Sequence, residues 1–208
     1  MSTTFRLPDV QVNEGTSLKE ALIVVQGRRP EAELAGMDGL MPIVGQRAGG
    51  EKGIGQTTLL EGRKVWRAGE SGHWSMALLA AALSRSNTSQ GDPVRDGRTQ
   101  DLVGRGLIEK LAVQPRAWLI EHRDGFRSTV LVLNGVVADC NFAVRTAEGP
   151  ILSAQLYRPP APNRSEYDRL AAAVEDFFRG GSPVRPAWSL AIAQFLGEVG
   201  EGGGFGRL

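Results

Sequence analysis

Cysteine occurs once, as Cys140. A single thiol excludes an internal disulfide framework and a thiolate zinc cluster. Histidine occurs twice, as His73 and His122, too few for a metal site built on several imidazoles. No charge of one sign is in excess: 24 Lys and Arg meet 23 Asp and Glu, for a net charge of +1. Such a balance offers no basic field to draw nucleic acid or an anionic membrane. Lysine is scarce, with only Lys19, Lys52, Lys64 and Lys110. The resulting arginine excess reads first as coding bias and only distantly as phosphate recognition. No apolar run reaches the ~18–20 residues of a membrane-spanning helix. The first twenty residues lack the basic start and apolar run of a secretory signal. The expectation is a cytoplasmic chain whose partners are neither nucleic acid nor membrane.

What is present suits a globular fold. The 208 residues are 41% apolar and 23% charged, enough for one domain with its own core. Residues 1–20 read as a connecting arm, 21–198 as a single α+β domain, and 199–208 as a flexible Gly-rich tail. Ala21-Leu22-Ile23-Val24-Val25-Gln26 reads as a buried strand. Residues 31–47 carry apolar positions at helical spacing, interrupted by Gly36, Gly39 and Pro42, which predicts a weak or kinked helix. Residues 54–60 read as a strand. Residues 71–86 read as a helix capped by Ser71 or Ser75, and residues 101–111 as a short helix weakened by glycine. Two closing helices are expected at residues 164–179, with Phe177 and Phe178 in the buried stripe, and at about 186–198.

Residues 116–158 carry the strongest pattern. Four apolar, strand-like runs are separated by Asp124-Gly125, Asn134-Gly135 and Glu148-Gly149-Pro150. Asp-Gly and Asn-Gly are hairpin turn pairs, because type I′ turns need positive φ at both positions. The expected fold class is α+β: an antiparallel open-faced sheet, with this meander at its centre and helices packed on one face. Two-residue turns would set Glu121 opposite Ser128, and Ser128 opposite Asn141. Alternation then puts Trp118, Ile120, Leu131, Leu133, Cys140, Phe142 and Val144 on the core face. The other face would hold Glu121, Ser128, Val130, Val132, Val137, Asp139 and Asn141. Its polar row reads as a wet or interfacial sheet face, or as a site for a hydroxylated ligand. Cys140 reads as a structural thiol.

Candidate chemistry is thin. Gly49-Gly50-Glu51-Lys52-Gly53 resembles a phosphate loop but lacks the Walker spacing and leads into a strand instead of a helix N-terminus. No Gly-x-Gly-x-x-Gly opens a helix after a strand. His73 lies near a helix start, and His122 is expected to be solvated at a hairpin end. If the chain is a small independent enzyme acting on a hydroxylated or phosphorylated metabolite, its candidates are Glu51, Lys52, His73 and Glu121, converging in one cleft.

Several stretches carry a family likeness. They are Leu18-Lys19-Glu20-Ala21-Leu22, Arg47-Ala48-Gly49-Gly50-Glu51-Lys52-Gly53 and Leu60-Glu61-Gly62-Arg63-Lys64-Val65-Trp66. Further on come Trp118-Leu119-Ile120-Glu121-His122-Arg123-Asp124-Gly125, Val130-Leu131-Val132-Leu133-Asn134-Gly135 and Val174-Glu175-Asp176-Phe177-Phe178-Arg179-Gly180-Gly181-Ser182-Pro183. Together they resemble the C-terminal α+β domain of glucose–fructose oxidoreductase/inositol dehydrogenase-like (Gfo/Idh/MocA) enzymes, over about residues 5–197. The resemblance implies a substrate-binding or oligomerisation module that is not catalytic alone, associating through its open sheet face as a homo-oligomer or with a Rossmann-domain partner. The family's glycine fingerprint, its Glu-Lys-Pro segment and its Asp-x-Gly-x-His-type segment are missing from these residues. The resemblance therefore implies no catalytic residue and no cofactor for this chain alone; NAD(P) would be held only with a separate Rossmann-domain partner.

Overall fold

The computed structural model describes residues 5–27, 30–88, 101–157, 175 and 178–180. The chain divides into two compact units, one spanning Phe5–Tyr157 and the other made of Met1–Thr4 with Arg158–Leu208. The predicted closing helix at 186–198 and the tail lie outside the described residues. Of the predicted helix at 164–179, only Glu175, Phe178 and Arg179 are described. Phe178 is 80% exposed, not part of a buried stripe.

The first unit is built on one seven-stranded sheet. Its strands are β1 (Phe5–Leu7), β2 (Leu18–Val25), β3 (Ile54–Glu61), β4 (Val113–His122), β5 (Arg127–Asn134), β6 (Cys140–Thr146) and β7 (Ile151–Tyr157). Their spatial order is β1-β7-β6-β2-β5-β4-β3. The fold class is α+β, but the sheet is mixed. β2 runs parallel to β5 and antiparallel to β6. The expected arm at 1–20 supplies β1, which pairs with β7, and the beginning of β2.

The insertion of β2 breaks the expected meander. β5 and β6 are not neighbours, so Ser128 does not face Asn141. Strands flanking a common neighbour stand about 10 Å apart, too far for a two-residue turn. Residues 135–139 bridge the gap instead. Asn134 does not start a type I′ turn. Its side-chain amide pairs with the backbone of Gly27 just past β2, at 2.9 and 3.1 Å, in the manner of a strand rung. Gly135 is needed here: its φ is +83°, and a Cβ would lie 2.8 Å from the carbonyl oxygen of Leu111.

The β4–β5 hairpin forms as expected, but its register differs by one. His122 N donates to Phe126 O at 2.8 Å, and Glu121 faces Arg127. The loop is therefore Arg123-Asp124-Gly125, with Gly125 at φ +80°, a three-residue connection closed by a left-handed residue. One residue of slip exchanges the faces of a strand. Ser128, Val130 and Val132 move to the face of Ile120 and His122.

Helices cover both faces. α1 (Pro30–Val44) packs on the face of Ile23 and Val25. A Cβ on Gly36 would meet Val25 and Val130, and one on Gly39 would meet Ile23 and Leu156, so these glycines let the helix sit close. Pro42 falls in its last turn and does not break it. α2 (Arg63–Glu70) and α3 (Met76–Leu83) pack on the opposite face, burying Leu22, Val24, Leu131, Leu133 and Ala143 with Trp66, Trp74, Leu78 and Leu79. Residues 71–86 thus hold one helix, begun by Ser75, whose hydroxyl accepts from Leu78 N. The glycine-weakened segment forms only α4 (Ile108–Leu111). The open sheet face is absent: Val130, Val132 and Val137 are all buried.

Candidate functional site

Two polar clusters are set into this frame, one on each face of the sheet. The first lies on the α1 face. Arg47 follows α1, and its side chain is 3% exposed. Its guanidinium donates to Asp124 Oδ2 at 2.7 and 3.0 Å, to Glu51 Oε2 at 2.6 Å and to the Val44 carbonyl at 3.0 Å. It also stacks over the Phe126 ring at 4.8 Å. Glu51 Oε1 accepts from Gly53 N at 2.7 Å and lies 2.9 Å from His122 Nδ1. His122 Nε2 is 2.8 Å from Ser128 Oγ.

The carboxylate decides the proton positions. Burial opposes ionisation of Glu51, but hydrogen bonds from His122 and Arg47 and their charges outweigh it, holding the carboxyl at about 2. An ionised carboxylate only accepts, so Nδ1 carries the proton. Nε2 pairs with the Ser128 hydroxyl, the direction of that bond following the protonation of the ring. Asp124 shows the same balance, with burial overcome by Arg47 and its value lowered.

Ser128, His122 and Glu51 thus have the hydrogen-bond order of a nucleophile, base and orienting acid. They lack access. The His122 side chain is fully buried and Ser128 is 1% exposed. Ser128 sits in a central strand, opposite Ala21 on one side and Ile120 on the other. A reacting carbonyl has no route to its hydroxyl. The relay works as a cross-link among the loop after α1, the β4–β5 hairpin and β5.

The second cluster lies on the α3 face, over β6 and β7. Asp139 accepts from the Ser86 hydroxyl at 2.8 and 3.0 Å, Asn87 N at 2.7 Å, Gln155 Nε2 at 2.9 Å and Asn141 Nδ2 at 2.5 Å. Asn87 Nδ2 donates to Gln155 Oε1 at 3.0 Å, and Arg85 Nε donates to Ser153 Oγ at 3.0 Å. Cys140, between Asp139 and Asn141 in sequence, pairs with Leu156 and is turned to the α1 face; its thiol is pushed up to about 12 by burial and by the charge of Asp139. It stays protonated and is a poor nucleophile.

The four residues singled out from sequence are divided. Glu51 joins the network on the α1 face. Lys52 is exposed beside it. Glu121 is exposed and points to the opposite face from His122. His73 is exposed in the turn between α2 and α3. That turn meets Arg127, which donates to the Gly72 carbonyl at 3.1 Å. Glu20 anchors the same region through Arg145 at 2.8 Å. Sequence reading missed Arg47 and Asp124, set Ser128 on the face opposite to the one it occupies, and expected a solvated His122, which is buried. The missed signal is the three-residue loop, which brings positions 122 and 128 onto one face.

Among the described residues, no helix is long and apolar enough to cross a membrane. Among them, too, no group of three or more His, Cys, Asp or Glu is placed to hold a metal ion. Compared with protein-family models, curated proteins and solved structures, the chain matches none.

Proposed function

We propose that this chain is a substrate-binding domain of the oxidoreductase C-terminal type, not catalytic by itself. It would hold a hydroxylated ligand for hydride chemistry whose nicotinamide is bound by a Rossmann domain outside these residues. The carrying observation is the closure of the Ser128–His122–Glu51 relay. That relay is the nearest approach to a catalytic constellation among the described residues, and burial withholds it from any substrate.

The glycine loop supports the same reading. Gly50 N donates to Arg47 O, and Gly53 N to Glu51. Two amides of the loop are thus already used, one of them by a carboxylate that would repel a pyrophosphate. The residues present therefore do not fit a nicotinamide nucleotide in this loop. The division of Glu51, Lys52, His73 and Glu121 between two sheet faces weighs against the independent-enzyme alternative, which needs them in one cleft. Association through an open sheet face is no longer part of the reading, because that face is covered.

The test is calorimetric titration of the purified chain with NAD(H) and NADP(H), alongside light scattering. No nucleotide binding is expected. Saturable binding of either nucleotide to this chain would overturn the reading.

A further inference from the structure

The two edges of the sheet are unlike. β1 closes one side with only three residues, Phe5–Leu7. β3 closes the other with eight, Ile54–Glu61. A long edge presents a row of amides and carbonyls to any further strand, so edges are commonly blunted by Lys, Pro, a bulge or shortness. β3 has one such device: its ladder with β4 is irregular between Ile54 and Gln56, at its beginning. From Gln56 to Leu60 it carries no charge and no proline.

The register fixes which backbone groups point outward. Residues of an antiparallel pair alternate between exchanging hydrogen bonds with the partner strand and turning away from it. Gly62 N donates to Pro115 O at 2.9 Å, in step with the β3–β4 register. Gln56, Thr58 and Leu60 therefore turn their backbone groups to β4. Thr57, Leu59 and Glu61 turn theirs away from the sheet, and among the described residues nothing takes them up. Thr57 to Leu60 are half-buried and Glu61 is exposed, so this edge reaches the surface.

The strand is its own complement. A two-fold axis through Leu59, perpendicular to the sheet, lays two copies antiparallel. Leu59 then faces Leu59 of the second copy, Thr57 faces Glu61, and Thr58 faces Leu60. Every outward amide of Thr57, Leu59 and Glu61 finds an outward carbonyl. The two leucines meet on the face where Leu59 already lies beside Trp118. Glu61, the one charge on the strand, meets a threonine and not its own copy. An unrelated strand offers the backbone bonds without these side-chain matches.

We propose that β3 is a dimerisation edge. Two copies of this chain pair β3 with β3 about Leu59 and join their seven-stranded sheets into one. This contact leaves both sheet faces covered by their own helices.

The test is sedimentation equilibrium of the full chain at low ionic strength, over a dilution series from about 1 mM, where even a weak dimer shows. A reversible monomer–dimer equilibrium is expected. Leu59→Pro removes an outward amide and no bond to β4, as edge strands allow. It should leave a folded monomer, with folding checked by circular dichroism. Thr57→Glu sets a carboxylate against Glu61 of the second copy, twice per dimer, and should weaken association about five-fold. Thr57→Lys sets an ammonium there and should tighten it by about as much. Opposite effects at one position are not what a local loss of folding gives, so this pair decides if Leu59→Pro does not fold. A monomer at every concentration overturns the proposal and leaves the edge to a different strand or to none. A dimer that survives in folded Leu59→Pro overturns it, as do two Thr57 variants that shift association the same way or not at all.

Discussion

Glu51 and His122, 71 positions apart in sequence, meet at 2.9 Å between Oε1 and Nδ1 on the α1 face of the sheet. The contact ties the glycine-rich loop to a hairpin, with Arg47 bracing it on one side and Ser128 on the other. Pairs of this kind cost stability when one partner is removed, because the other is left charged or unsatisfied in a dry site.

Stability should therefore depend on the ionisation of Glu51. Its carboxyl is lowered from 4.5 to about 2 in the folded chain. A depressed carboxyl stabilises the fold above its unfolded value, and the contribution is lost as pH falls from about 4.5 through about 2. Glu51→Gln should cost roughly 2–3 kcal/mol at neutral pH and flatten that acid limb. Urea unfolding at a series of pH values measures both. An acid limb unchanged in the variant would show that Glu51 is not its source.

The Ser128 hydroxyl should be inert. A serine-directed phosphonate should leave the native chain unlabelled at position 128, because the residue is 1% exposed. Ser128→Ala should lower stability by about 1–3 kcal/mol by leaving the buried His122 Nε2 without its partner. Mass spectrometry after phosphonate treatment decides the first point. Stoichiometric labelling of the folded chain would revive a hydrolytic role.

A charge inside the covered sheet should unfold the domain. Val132 is fully buried, while Val113 is 54% exposed. Val132→Glu should cost more than about 4 kcal/mol, and Val113→Glu should stay within about 0.5 kcal/mol. Thermal melts of the two compare them directly. A folded Val132→Glu chain with altered elution volume would mean that this face is an association surface after all.

Two glycines should resist alanine for different reasons. A Cβ on Gly69 would lie 2.5 Å from the Trp74 ring, whose indole is fixed by a 2.8 Å bond to the Val65 carbonyl. Alanine at Gly135 would meet the Leu111 backbone in a left-handed conformation. Each substitution should cost about 1–3 kcal/mol. Gly72→Ala has positive φ but open space around it, so its cost should be at the low end, about 1 kcal/mol. Chemical denaturation of the three variants sets the order. A Gly135→Ala as mild as Gly72→Ala would mean that the backbone contact yields.

The strands were legible because their apolar runs and turn pairs are local. β2, β3, β4, β5 and β7 lie close to where periodicity puts them. The two-sided covering was also written in the sequence. Ala21-Leu22-Ile23-Val24-Val25 and Val130-Leu131-Val132-Leu133 are continuous apolar runs, as strands buried on both faces require. The first run reads as a buried strand, and it is the reading of the second as a half-buried strand of a meander that gives the one-faced sheet.

The order of the strands and the site were not legible. Asn134-Gly135 reads as a hairpin because nothing local reveals that β2, over a hundred residues earlier, lies between β5 and β6. The Asn134 side chain is spent on Gly27, a contact between positions 107 apart. The length of the Asp124-Gly125 loop, three residues instead of two, decides which face His122 and Ser128 occupy. By itself the sequence determined the α+β class, most strand positions and the polar residues available for chemistry, because composition and period are properties of neighbours. Only the tertiary structure decided which polar groups meet and which face is covered, because register and long-range pairing bring distant residues together.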